Sequence, residues 1–130
     1  AIEEIIAAVP KTFRTLTGYP GTLHESLQAG ASGAILALAC AFPELCCEIY
    51  DASHTGDAVR SQLLAQRLQA PSKLLGQEFG ISGLKYALDR LGYFGGLPRP
   101  PLLPVSKTAQ HEIEEMLPGV LSVSGAAAKP

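Results

Sequence analysis

The residues able to do chemistry in this chain are few, and their spacing limits what each can do. The turn Thr17-Gly18-Tyr19-Pro20-Gly21-Thr22 stands before a helix-like segment, where free N–H groups can hold an anion. The pattern Gly18-x-x-Gly21-Thr22 lacks the lysine and the longer glycine interval of a phosphate loop, so a plain turn and a substrate-lining turn both stay open. His24 has the chemistry of a general base but no positioned partner in the sequence, and a packing role within its helix outweighs a catalytic one. His54 and His111 read as surface residues, and Tyr50, Tyr86 and Tyr93 as packing residues with a polar tip. Cys40, Cys46 and Cys47 are odd in number and have no C-x-x-C spacing, which predicts reduced, structural, buried thiols. No metal site is expected. Adjacent Cys46 and Cys47 diverge by about 100° on a helix, with His54 the one imidazole nearby.

The elements that must position these groups follow from the apolar pattern. Residues 13–16 and 33–38 are two short apolar runs bracketing a helical stretch, which reads as strand, helix, strand. Continuous apolar strands joined by a helical crossover predict a parallel pair covered on both faces, with chemistry beyond the strands' carboxyl ends. Tyr19 is then the tyrosine nearest such an end. Thr22 with Glu25 predicts a capping box, Gly30 a left-handed helix end, and Pro43 the first turn of the next helix. Asp57 is expected to cap a helix running through Leu63, Leu64 and Leu68 towards Leu75, kinked at Pro71. Ser82 is expected to cap a helix over 83–91, and Ser106 to start the last one, with Ile113, Met116 and Leu117 packed and Glu112, Glu114 and Glu115 in solvent.

Before these, residues 1–9 put Ile2, Ile5, Ile6 and Val9 on one stripe that starts without a cap, like the last turns of an element begun earlier. Residues 92–101 hold three glycines and three prolines and predict an extended, hydrogen-bond-poor crossing segment, with Arg99 as its anchor to carbonyls. Residues from Gly119 on show no periodicity and read as a loose tail. No internal repeat is present.

Composition narrows the classes. With 47% hydrophobic and 17% charged residues the chain is a core-forming sequence, and its 130 residues fit one domain. A net charge of -2, scattered basic residues and few aromatics argue against nucleic acid. The opening Glu3 and Glu4 do not suit a signal peptide, and no apolar run approaches the roughly 20 residues that span a bilayer. A cytoplasmic location follows by elimination, with a mitochondrial one left open because the start of the protein is not at Ala1 on this reading.

Residues 80–106, GISGLKYALDRLGYFGGLPRPPLLPVS, resemble the C-terminal region of the dihydrodipicolinate synthase / N-acetylneuraminate lyase family of class I pyruvate-type aldolases. The resemblance rests on an ordered combination: Phe-Gly-Ile before a Gly-Leu-Lys helix, a Leu-Gly-Tyr exit, Gly-Gly, Arg-Pro-Pro-Leu and a Ser-capped helix. Residues 13–41 look like that family's seventh strand, seventh helix and eighth strand, and residues 80–97 look closest to 4-hydroxy-2-oxoglutarate and 2-keto-3-deoxy acid aldolases. The resemblance implies an α/β fold: the C-terminal part of a TIM (β/α)8 barrel over residues 1–55, an α-helical C-terminal extension over 56–118 and the tail at 119–130.

It also implies a Schiff-base lyase that makes or breaks a carbon–carbon bond next to pyruvate, on a 4-hydroxy-2-oxo or 2-keto-3-deoxy acid. No metal or organic cofactor is implied, and the intact enzyme is expected to be a homotetramer. Thr17, Gly18 and Tyr19 would border the substrate, and Ile35 and Leu36 would line the pyruvyl pocket. Sialate lyases carry acidic residues directly after the Gly-Tyr of this turn, whereas Pro20 and Gly21 stand here; the family commonly has Asn where Cys40 stands. The Schiff-base lysine and the catalytic tyrosine would lie on strands preceding Ala1, so no catalytic residue is assigned in this chain, and the missing N-terminal barrel portion becomes its first partner. Lys11, Lys73, Lys85, Lys107 and Lys129 are not placed for that role. Two other readings remain: a dihydrodipicolinate synthase-type condensation, and a non-catalytic helical interaction or oligomerisation module. Two parallel strands alone leave unpaired edges, which favours some partner in every case.

Overall fold

The computed structural model describes residues 2–121. The chain forms two compact units, one ending at Gln69 and the other beginning at Ala70. The first holds α1 (Ile2–Ala8), β1 (Leu16–Thr17), a 3-10 turn (Pro20–Thr22), α2 (Leu23–Gln28), β2 (Gly33–Ala34), a second 3-10 turn (Ala37–Cys40), α3 (Pro43–His54) and α4 (Ala58–Gln66). After the single turn α5 (Gln69–Pro71) come a π-helical segment (Ser72–Glu78), α6 (Gly80–Arg90) and α7 (Lys107–Leu121). None of the described helices is long and apolar enough to cross a membrane.

The strands pair parallel, Leu16 opposite Gly33 and Thr17 opposite Ala34, as the helical crossover predicts. They are shorter than the apolar runs. The Ser32 amide donates to the Thr15 carbonyl at 2.8 Å and the Ile35 amide to Thr17 at 2.9 Å, after which Ala37–Cys40 winds into a 3-10 turn instead of continuing as strand. Gly30 sits at φ 101°, a conformation costly for a residue with a Cβ, and turns the chain from α2 into β2. Pro43 opens α3, whose Leu45, Ile49 and Ala52 are buried against α2 and α4. Burying one aliphatic side chain as completely as Ile49 contributes about 1.5–3 kcal/mol.

Caps decide which helix starts the sequence reveals. Asp57 accepts from the Arg60 amide at 3.0 Å and Ser106 from the Ala109 amide at 3.2 Å, both as expected. Thr22 occupies the cap position of α2 without a side-chain bond, because Pro20 has already wound the preceding residues into a 3-10 turn. α6 starts at Gly80, ahead of Ser82, and its Gly83 and Ala87 are buried. α4 buries Ser61 and Ala65, leaving Leu63 exposed, and the helix expected to continue past Pro71 becomes the π segment, closed by the Phe79 amide donating to Leu74 at 2.8 Å. The isoleucine stripe of α1 is not buried, and Ile5 is exposed.

In the second unit, Ile113, Leu117 and Val120 of α7 are buried, as are Leu75 and Ala87, and α6 packs against both the π segment and α7. α7 passes through Pro118 to Leu121, so residues 119–121 are helical and not tail; residues 122–130 lie outside the described residues. Glu114, expected in solvent, instead accepts from the Tyr86 hydroxyl at 2.6 Å and pairs with Arg90 at 3.1 Å, joining α6 to α7. The crossing segment is not hydrogen-bond-poor. Asp89 accepts from the Gly95 and Gly96 amides at 2.7 and 3.2 Å, the Lys85 ammonium donates to the Gly95 carbonyl, and Arg99 contributes its backbone carbonyl to the Leu102 amide.

Candidate functional site

The carboxyl ends of β1 and β2 lie side by side, as parallel pairing requires, and bring together the residues singled out above. A side-chain carbon at Gly18 would stand 4.0 Å from the Ile35 carbonyl oxygen, so the two segments leave the sheet as neighbours. Thr17 is buried, 7% exposed, and its hydroxyl accepts from the Tyr19 amide at 3.4 Å, which folds the chain into the turn. Ile35 and Leu36 follow each other in extended backbone, and consecutive side chains on such a backbone leave opposite sides. Ile35 is 74% exposed and Leu36 8%, so Ile35 is the one whose side chain is open to a ligand.

The turn itself is built around Gly21. An added side-chain carbon there would meet the Tyr19 ring at 2.7–2.8 Å, so the ring lies across the glycine. Pro20 is buried beneath, and the Gln69 side-chain amide donates to the Gly21 carbonyl at 3.1 Å. Gln69 was not foreseeable from the sequence, because the bond joins residues far apart in the chain through one polar side chain with no local signal.

His24 does acquire a partner. Its Nδ1 lies 2.8 Å from the Ser61 hydroxyl, which is 2.6 Å from the Ser53 hydroxyl and donates to the Ile49 carbonyl at 3.3 Å. This is not a nucleophile and its base, since Ser61 is fully buried and, among the described residues, no carboxylate is bonded to the imidazole. The chain of bonds instead satisfies polar groups where α2, α3 and α4 meet.

The cysteines are free thiols, but Cys40 and Cys47 are exposed rather than buried. Burial, with Cys47 alongside, pushes the Cys46 thiol up to about 11 from 9.0, the direction opposite to a reactive cysteine. Among the described residues no group of His, Cys, Asp and Glu gathers as a metal site would. Of the lysines, Lys73 pairs with Glu78 at 3.4 Å and Lys85 is bound to Gly95; Lys11 and Lys107 are exposed, and Lys129 lies outside the described residues. A hollow of about 320 Å³ lies at the amino ends of the strands, with Arg14 facing the carboxyl ends of α2 and α3, where a cation is favoured. It is distinct from the Gly18 and Ile35 end.

Residues 1–119 match the sequence profile of the Dihydrodipicolinate synthetase family. The 4-hydroxy-tetrahydrodipicolinate synthase of Rhizobium meliloti is 34% identical over 110 residues, covering 85% of this chain and 38% of the relative. The solved dihydrodipicolinate synthase of Aquifex aeolicus superposes with a TM-score of 0.81 at 26% identity over 89% of this chain and 40% of its own. That of Oceanobacillus iheyensis superposes with a TM-score of 0.81 at 23% identity over 89% of this chain and 41% of its own. The chain thus spans about 40% of the length of the proteins it matches, and its fold is a portion of their barrel fold.

Proposed function

The chain belongs to the dihydrodipicolinate synthetase family, and from that premise we propose that it supplies one wall of a pyruvate site in a class I, Schiff-base-forming lyase. The observation that carries the proposal is the parallel pair whose carboxyl ends set Gly18 beside Ile35, the end of a barrel strand where (β/α)8 enzymes hold their substrates. On this reading β1 and β2 correspond to strands seven and eight, and α4 to α7 to the helical extension. The exposed Ile35 side chain and the turn Thr17-Gly18-Tyr19 shape the pocket, with Leu36 contributing from its buried side.

A Schiff base needs an amine held neutral in a desolvated site. None of the described lysines has such surroundings, so the nucleophile comes from residues outside the described segment, as would the catalytic tyrosine. Cytoplasmic location and a homotetramer go with the family reading.

Two reactions compete for the aldehyde side. The names of the curated relatives favour a condensation of the 4-hydroxy-tetrahydrodipicolinate synthase type, with pyruvate as one partner. The pattern at residues 80–97 favours cleavage of a 4-hydroxy-2-oxo or 2-keto-3-deoxy acid. The deciding experiment treats the chain with pyruvate and borohydride and weighs it. No adduct is expected on this chain alone, whereas a barrel completed by the preceding residues of a relative should trap pyruvate. Adduct formation on Lys11, Lys73, Lys85 or Lys107 would refute the assignment.

A further inference from the structure

We propose that the hollow between α6, the crossing segment and the start of α7 is a binding site for a small primary ammonium ion with an aryl or short alkyl body. It lies wholly within the second unit and does not rest on the pyruvate-site reading. The hollow measures about 240 Å³, and Leu97, Pro98, Pro104 and Val105 give it an apolar wall. Tyr86, Asp89 and Gln110 supply its polar edge. No lysine, arginine or histidine lines it, so Asp89 is its one charged side chain among the described residues.

The polar edge accepts more than it donates. Asp89 takes the Gly95 and Gly96 amides on Oδ1 alone, at 2.7 and 3.2 Å, and Oδ2 keeps its lone pairs. The Tyr86 hydroxyl is committed to Glu114 at 2.6 Å. Gln110 Nε2 donates to the Val105 carbonyl at 3.2 Å, which leaves Oε1 as a further acceptor. An ammonium has three donors and no acceptor, the complement of such an edge. A carboxylate or phosphate guest would instead meet Asp89 with like charge.

Phe94 supplies the other half of the recognition. Its ring is 93% exposed, and a side-chain carbon added at Gly96 would stand 3.2 Å from the ring's Cζ, so the ring reaches over Gly96 at the rim of the hollow. A cation entering there comes within range of an aromatic face, to which it is attracted. An exposed ion pair contributes little by itself, so the apolar wall and the ring carry most of the affinity. The volume, below the roughly 300–1,000 Å³ of drug-sized sites, holds the guest to fragment size and Kd to on the order of 1 mM.

The test titrates the chain with benzylammonium, benzyl alcohol and benzoate, three guests of similar size and different charge, followed by nitrogen–proton NMR. Benzylammonium should move the Gly95 and Gly96 amide and Gln110 side-chain resonances saturably, the alcohol should bind severalfold more weakly, and benzoate should leave them in place. Asp89→Asn, which keeps an acceptor for the glycine amides, should weaken the amine about two- to fivefold. Phe94→Ala, at an exposed position, should weaken it by about the same factor. No movement of these resonances by about 10 mM amine, or equal binding of benzoate, would overturn the site. That comparison uses the unsubstituted chain, so it decides even where a variant unfolds. Unchanged affinity in Asp89→Asn would overturn the recognition of charge, and unchanged affinity in Phe94→Ala the role of the ring.

Discussion

The Ile35 amide donates to the Thr17 carbonyl across 2.9 Å, and this bond locks the last paired residue of β1 to the first residue beyond β2. It holds two neighbours, Ile35 and Leu36, in opposite surroundings, and substitution separates their roles. Ile35→Asp should leave stability within about 0.5 kcal/mol, as at other exposed positions, yet weaken pyruvate trapping in the completed barrel about tenfold. Leu36→Asp should cost several kcal/mol by burying a carboxylate. Denaturant titration beside borohydride trapping reads both, and equal stability losses would contradict the two-sided arrangement.

The buried serine is a structural keystone. Ser61→Ala removes the shared partner of His24 and Ser53 and should destabilise the first unit by about 1–3 kcal/mol. His24→Gln should be milder, since its amide can still reach a hydroxyl. Urea unfolding followed by circular dichroism distinguishes them; a neutral Ser61→Ala would mean that water takes over the role.

The crossing segment depends on Asp89. Asp89→Ala strips an ionised acceptor from the Gly95 and Gly96 amides and should cost about 1.5–3 kcal/mol, with faster amide exchange at both glycines. Asp89→Asn keeps an acceptor and should lose less.

Tyr86 carries a pH signature. Its hydrogen bond to the Glu114 carboxylate, with burial and the Glu114 charge, raises the phenol above its ordinary 10.0, against the opposing pull of Arg90. A raised folded value means that this contact contributes in full below the ordinary tyrosine range and is lost as pH rises through the folded value. The α6–α7 contact should therefore loosen in strong alkali. Tyr86→Phe should remove that alkaline step, and ultraviolet absorbance of tyrosinate should show one late-titrating tyrosine; four tyrosines titrating together would refute it.

Thiol labelling should follow burial. With Cys46 raised to about 11 from 9.0, its thiolate fraction at neutral pH is about a hundredfold lower than that of an ordinary cysteine. Alkylation mapped by mass spectrometry should mark Cys40 and Cys47 first, and early labelling of Cys46 would show that the helix opens.

The parallel pair was legible because two apolar runs flank a helical stretch bounded by Gly and Pro, which is a local signal. Its length was not, since an apolar run such as 35–40 looks the same whether it extends as strand or coils as a 3-10 turn. Caps at Asp57 and Ser106 were legible because each acts on an amide three residues on. The His24–Ser61, Gly21–Gln69 and Asp89–Gly95 bonds were not, because tertiary packing chooses those partners and no spacing rule encodes them. Glu114 fell to the same limit, a glutamate on a charged helix face that a neighbouring helix happens to use.

Gly95 and Phe94 are adjacent yet differ completely in what they tolerate. A carbon added at 95 would stand 1.8 Å from the Lys85 carbonyl oxygen, whereas the Phe94 ring is 93% exposed. A library randomised at both positions and selected for folding should therefore return a single letter at 95 and a broad alphabet at 94, so anyone grafting a label or a linker onto this segment has one residue of latitude and none beside it.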